Sequence, residues 1–169
     1  MNLKALETWC VENPQSDPMG FGLCTSYIDY QEELAALAGL DAVPEGLWPP
    51  IADDRVKAII PLAPGTTAAF GPDGIEPIDV PVMIMVGSQD QLVPPEYHAY
   101  LGYEWLQNDQ KALVAFAGAN HPLFGPPCDA VPWLLPDGYY WCSDPVWDMD
   151  RAHDLINHFA TAFLLATLK

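Results

Sequence analysis

The sequence predicts an α/β fold: about three parallel strands with flanking helices and long proline-rich loops. Three observations predict it. Residues 56–60, 81–87 and 112–116 are short, continuous apolar runs, and such runs suit parallel strands buried on both faces. Between the second and third lies a stretch opened by Pro94 and Pro95, with Tyr97, Leu101 and Trp105 along one helical stripe; proline suits a first turn, and the order makes a β-α-β unit. The 18 prolines among 169 residues are about twice the usual ~5%, which points to ordered loops rather than a helix bundle.

The length fits one domain over residues 1–169. Residues 1–54 read as a lead-in of helix and loop, and residues 55–169 as the β-α-β core with a C-terminal helix. Residues 2–9 suit a short helix. Residues 13–26 read as a Pro/Gly/Cys loop. Residues 30–38 look helical, with Leu34, Ala35 and Leu37 between charges. Residues 39–54 read as irregular, broken by Pro44, Gly46, Pro49 and Pro50. Pro61 and Pro64 end the first strand run, and Gly118 ends the third. The first strand would leave an open sheet edge unless something pairs with it. About thirty residues of Pro, Gly and aromatics follow the third strand, and loops that long are functional or tied down. Asp144-Pro145 or Asp148 can cap the last helix. Its apolar positions are Ala152, Leu155, Ile156, Phe159, Phe163 and Ala166, with Ala160 on one edge.

Lys and Arg total 6 and Asp and Glu total 23, a net charge of −17. That balance argues against nucleic acid and anionic membrane surfaces as partners, since binding them needs a cationic face. The 50% hydrophobic content argues against global disorder. No stretch reads as a membrane span, since the apolar run at 159–168 is half of the ~20 residues required. Residues 1–10 hold Glu7 and no apolar run, so no signal peptide is visible. Cys10 and Cys24 are separated by the same interval as Cys128 and Cys142. Four cysteines allow three pairings; the local one closes two loops of about 15 residues, each worth ~3 kcal/mol. A Cys128–Cys142 bridge would tie down the long loop. Disulfides imply an oxidising compartment. The lack of a C-x-x-C and of short ligand spacing disfavours zinc; no metal site is expected, and no cofactor.

Ligand and catalytic groups of open parallel sheets gather beyond the carboxyl ends of the strands. Asp90 follows the second strand in Gly87-Ser88-Gln89-Asp90-Gln91-Leu92-Val93-Pro94, and His121 follows the third in Gly118-Ala119-Asn120-His121-Pro122. Neighbouring strands lie ~4.8 Å apart, so these loops can bring the carboxylate to the imidazole. A carboxylate on one ring nitrogen fixes the tautomer and leaves the other nitrogen to accept a proton. Asp90 also suits a turn residue capping its own backbone, and His121 a loop histidine bonded to a carbonyl. His98 falls in a helix and reads as structural or exposed. His153 and His158 are not on one helix face, which argues against metal; His153 suits a cap or core edge.

The order strand, G-x-x-D-x-x-V-P, helix, strand, G-x-x-H resembles the second half of an α/β-hydrolase. The tail from Cys142 through Ser143-Asp144-Pro145-Val146-Trp147-Asp148-Met149-Asp150-Arg151-Ala152 to His153 resembles secreted or periplasmic esterases near dienelactone hydrolase and platelet-activating-factor acetylhydrolase, as does Trp9-Cys10 followed by Cys24. The resemblance runs from about Leu3 to Lys169. It implies a partial α/β-hydrolase fold, a carboxylic-ester hydrolase activity, Asp90 as triad acid and His121 as triad base. It implies an extracellular or periplasmic location and a small-molecule or polymeric ester as substrate. Phe70, Leu92, Phe124 and Trp133, with Tyr139 and Trp141, are candidates for an acyl pocket or for packing beneath the loops.

The family's serine lies in G-x-S-x-G on a strained strand-to-helix turn. Ser16, Ser26, Ser88 and Ser143 are the serines here, and none has that setting. The resemblance therefore implies a chain that starts after the nucleophile turn and, alone, lacks activity. A missing N-terminal half would supply the serine. The contrasting expectation is an inactive structural or binding module that associates through the edge at residues 56–60, for example as a homodimer.

Overall fold

Among the described residues two parallel strands make the sheet: β1 (Val82–Gly87) and β2 (Lys111–Phe116), in register from Val82 opposite Lys111 to Gly87 opposite Phe116. The structure is a computed structural model that describes residues 1–17, 23–50, 52–135 and 137–168. The predicted loop at 13–26, the irregular stretch at 39–54 and the end of the resemblance at Lys169 each reach residues outside the described ones.

The expected third strand does not form. Residues 59–63 run alongside β1 but make only isolated bridges, Ile59 with Val82 and Leu62 with Met85. The Ile59 amide donates to the Pro81 carbonyl, Met83 to Ile59, Met85 to Pro61 and Ala63 to Met85. Pro61 has no N–H to give, and Ala63 turns into the left-handed region at φ 43° just before Pro64, so the ladder cannot propagate. Val56, 47% exposed, lies outside the paired stretch.

The unbroken apolar character of β1 has the expected cause. All its residues are buried, and successive side chains enter opposite layers. Met83 and Met85 pack with Phe116, Leu123, Ala152, Ile156 and Phe163 under the C-terminal helix, while Val82, Ile84 and Val86 pack with Ala99 and Leu106 on the other face. Burying each of these large side chains contributes roughly 1.5–3 kcal/mol.

Among the described residues four α-helices precede the sheet: α1 (Leu3–Glu12), α2 (Leu23–Asp29), α3 (Gln31–Leu37) and α4 (Thr67–Ile75). Asn2 caps α1 by accepting from the Ala5 amide at 3.1 Å. Leu3, Leu6, Ala35, Trp48, Ala68 and Ala69 form a separate core for this lead-in. Neither α2 nor α4 is evident in the sequence. Pro72 and Gly74 disguise α4, which kinks at Gly71 (φ 63°). A Cys10–Cys24 disulfide joins α1 to α2.

Helix α5 (Ala99–Trp105) follows a short 3-10 turn at Pro95–Tyr97. The predicted stripe is displaced. Tyr97, Leu101 and Trp105 are only half-buried, whereas His98, Ala99, Gly102 and Leu106 are buried. Gly102 sits against Thr67 and Ile84, so close approach rather than bulk selects the inner face. Lys111 Nζ donates to the Leu106 and Tyr103 carbonyls at 2.6 and 2.9 Å, capping the end of α5 with positive charge.

The long loop before the last helix contains 3-10 turns at His121–Phe124, Pro132–Leu134 and Tyr139–Trp141. The Cys128–Cys142 disulfide closes its second part. Helix α6 (Met149–Thr167) is capped by Asp148, whose carboxylate accepts from the Arg151 amide at 3.0 Å. Its inner face holds Ala152, Ile156 and Phe163, flanked by Phe159, Ala160 and Leu164. Leu155 and Ala166, expected on that face, are exposed. No helix among the described residues is long and apolar enough to cross a membrane.

Candidate functional site

Beyond Gly87 and Phe116 the two strands lose their regular pairing, but their loops stay stitched together. The Ser88 amide donates to the Phe116 carbonyl at 3.0 Å and the Gln89 amide to the Ala119 carbonyl at 2.9 Å. The Ser88 hydroxyl accepts from the Gly118 amide at 2.9 Å. Gly118 turns there with φ 74°, a conformation that favours glycine. These links bring the acid-bearing loop and the histidine-bearing loop into register.

Asp90 and His121 meet. His121 Nδ1 donates to Asp90 Oδ2 at 2.8 Å. The Asp90 side chain has no exposed surface, and that of His121 is 30% exposed. Asp90 also does what a turn residue does: its Oδ1 accepts from the Leu92 and Val93 amides at 3.0 and 2.8 Å. One oxygen fastens the turn and the other faces the ring. A carboxylate can only accept here, so Nδ1 carries the proton and Nε2 of the neutral ring is the basic atom. Nε2 has no hydrogen-bond partner among the described residues.

Three supporting residues were not singled out from sequence for the parts they play. Asn120 Oδ1 accepts from the Gln91 amide at 3.0 Å and the His121 amide at 2.9 Å. Asp144, expected as a possible helix cap, instead accepts from the Asn120 amide at 2.7 Å through Oδ2 and from Val146 and Trp147 through Oδ1. Tyr140 stands near the pair. Burial first, and then the negative charge of Asp90, push its phenol above the ordinary value. The only sequence signal for these was position, since Asn120 abuts His121 and Asp144 lies two residues beyond Cys142.

An open depression of about 640 Å³ flanks Asp90, lined by Gln15, Ser88, Gln89, Gln91, Pro94, Pro95, Glu96 and Tyr97. The acyl-pocket candidates do not gather there. Phe70 lies on α4 before its kink, 38% exposed. Leu92 is held in the Asp90 turn by its amide. Phe124 packs edge-on to Phe116 at 5.9 Å, against the core under α6. Trp133 is 76% exposed on its own turn, and Tyr139 and Trp141 are also exposed. Phe124 is thus a packing residue. None of the others lines the depression beside Asp90.

Among the described residues none of the four serine hydroxyls is hydrogen-bonded to His121. Ser88 accepts from Gly118, and Ser143 donates to the Tyr139 carbonyl at 2.6 Å. Ser16 is buried and Ser26 is exposed on α2. His98 is buried, and its Nε2 donates to the Ser16 carbonyl at 2.8 Å, so it fastens the lead-in to the sheet layer. His153 Nε2 donates to the Leu123 carbonyl at 3.0 Å, at the edge of the core. Among the described residues no three His, Cys, Asp or Glu side chains are grouped to hold a metal ion.

No family model matches the chain. No curated protein matches it either. Among solved structures it is similar to a monoacylglycerol lipase from Paleococcus ferrophilus, at 24% identity and a TM-score of 0.32, over 46% of this chain and 32% of the lipase. The chain therefore spans about a third of that lipase's length.

Proposed function

We propose that Asp90 and His121 are the acid and base of a carboxylic-ester hydrolase of the α/β-hydrolase type. The observation that carries this reading is the Nδ1···Oδ2 contact of 2.8 Å at the carboxyl ends of paired parallel strands. Asp90 holds the ring in the tautomer whose Nε2 is basic and stabilises the imidazolium once it forms. Nε2 takes the proton from an attacking hydroxyl and later gives it to the departing alcohol. The hydroxyl belongs to a serine on another polypeptide segment. The finer affiliation, with esterases near dienelactone hydrolase and platelet-activating-factor acetylhydrolase, rests on the tail from Cys142 to His153. Two disulfides support an extracellular or periplasmic setting.

The test is complementation. The chain alone should hydrolyse a short p-nitrophenyl ester no faster than its His121→Ala variant. Supplied with a segment bearing strand, G-x-S-x-G and helix, it should turn over, and His121→Ala should abolish the gain. A complemented protein that binds the segment yet stays inert would remove the reading.

A second reading is favoured by one observation: residues 59–63 pair with β1 on one side only. In it the chain is a binding module whose edge takes up a further strand, from a second copy or from another chain. A concentration-independent monomer by light scattering, with edge amides that exchange freely, would count against it.

A further inference from the structure

We infer that Asn120 is a positioning residue that sets the distance between Asp90 and His121; this rests on the hydrolase reading of that pair. The parallel ladder ends at Gly87 and Phe116. Backbone pairing persists through Ser88 and Gln89 and then gives out. At that point a side chain takes over. Asn120 Oδ1 accepts from the amide of Gln91, which directly follows the acid, and from the amide of His121 itself.

A carbonyl oxygen has two lone pairs, and both are used. A local role would account for only half of this. Capping the 3-10 turn at His121–Phe124 requires only the bond to the His121 amide. The bond to Gln91 spans 29 positions of sequence and serves no turn. It joins the two loops one residue away from each member of the pair. Asn120 is itself fixed. It is 7% exposed, and its amide donates to Asp144 Oδ2 at 2.7 Å. Asp144 in turn lies just past Cys142, so the disulfide-closed loop backs the same contact. Productive geometry in such sites must be held to within about 0.5 Å by groups that are themselves locked. A rigid amide anchored on both loops meets that requirement; the Asp90–His121 bond alone does not.

The test reads geometry rather than turnover. In the unmodified protein, NMR should show scalar coupling across the hydrogen bonds from the Gln91 and His121 amides to the Asn120 side-chain carbonyl carbon. It should also show a low-field His121 Nδ1 proton. Asn120→Ala should broaden or shift that proton and speed Gln91 amide exchange about tenfold, a change of ~1.4 kcal/mol. Asn120→Asp keeps the acceptor oxygen and should keep both signals. Absence of the couplings overturns the inference without any variant, as does an Ala variant with the proton and the exchange rate unchanged. Equal loss in the Ala and Asp variants also overturns it. Failed complementation with these signals intact would remove the hydrolase reading and leave the positioning role. Lost signals with turnover intact would do the reverse.

Discussion

A methyl group on Gly87 would stand 2.5 Å from the carbonyl oxygen of Ala119. The end of β1 and the loop leading to His121 are thus in contact through backbone alone, and only glycine permits that approach. Gly87→Ala must push the loop away or break the Gln89–Ala119 hydrogen bond. Overpacking of this kind costs roughly 1–3 kcal/mol. Thermal melting should fall by about 2–12 °C for a chain of this size. The Asp90–His121 contact should lengthen with it, seen as loss of the low-field Nδ1 proton. An unchanged melting temperature together with an unchanged proton would contradict this account.

Asp90 serves two masters, and its two oxygens can be separated by substitution. Asp90→Asn keeps an acceptor for the Leu92 and Val93 amides but removes the charge facing His121. Asp90→Ala removes both. The Asn variant should stay within about 1 kcal/mol of the parent, while the Ala variant should lose ~1–3 kcal/mol for each buried donor left without a partner. Urea unfolding measures the difference. The His121 tautomer, read from ring-nitrogen shifts, should change in both variants. Equal stability of the two would show that the turn does not depend on this carboxylate.

The β-α-β unit was legible because both of its strands are continuous apolar runs and β1 is buried on both faces. The contact between Asp90 and His121 was legible because each residue follows the carboxyl end of one of two adjacent parallel strands. The third strand was misread because hydrophobicity at residues 56–60 says nothing of the missing N–H at Pro61 or the left-handed turn at Ala63, which stop a ladder. Helix α4 was missed because Gly71, Pro72 and Gly74 lower local propensity, and contact with Leu3, Leu6 and Trp48 overrides that. Asn120 was hidden for a different reason. Its function is a bond to Gln91, and no local pattern encodes a partner 29 residues away.

The two disulfides act on different parts of the molecule. Cys10–Cys24 fastens the helical lead-in, and Cys128–Cys142 closes the loop that ends at Asp144. In the chain-entropy view each contributes ~3 kcal/mol. Reduction should therefore lower the melting temperature markedly, and a denaturing thiol assay should find no free thiol before it. A Cys128→Ser/Cys142→Ser double variant should loosen Asn120 and His121 through Asp144, whereas Cys10→Ser/Cys24→Ser should not. Amide exchange at Asn120 in the two variants makes the comparison. Equal protection there would mean that the loop does not back the site.

His98 links stability to pH. Burial pushes its imidazole below the ordinary value of 6.5, against the opposing pull of the Ser16 carbonyl and the negative Asp17, Asp90 and Glu96. Above pH 6.5 the ring is neutral whether the chain is folded or not, so it adds no pH dependence. Below it, the unfolded chain takes up a proton that the folded chain resists. Unfolding then binds more protons, and stability falls as pH drops from 6.5 toward the folded value, by at most ~1.4 kcal/mol per pH unit. His98→Gln offers the Ser16 carbonyl an N–H donor and cannot titrate. Between pH 7.5 and 5 the parent should lose more melting temperature than this variant, with carboxylate effects common to both curves. Parallel curves would show that the buried ring is not what couples the lead-in to acid.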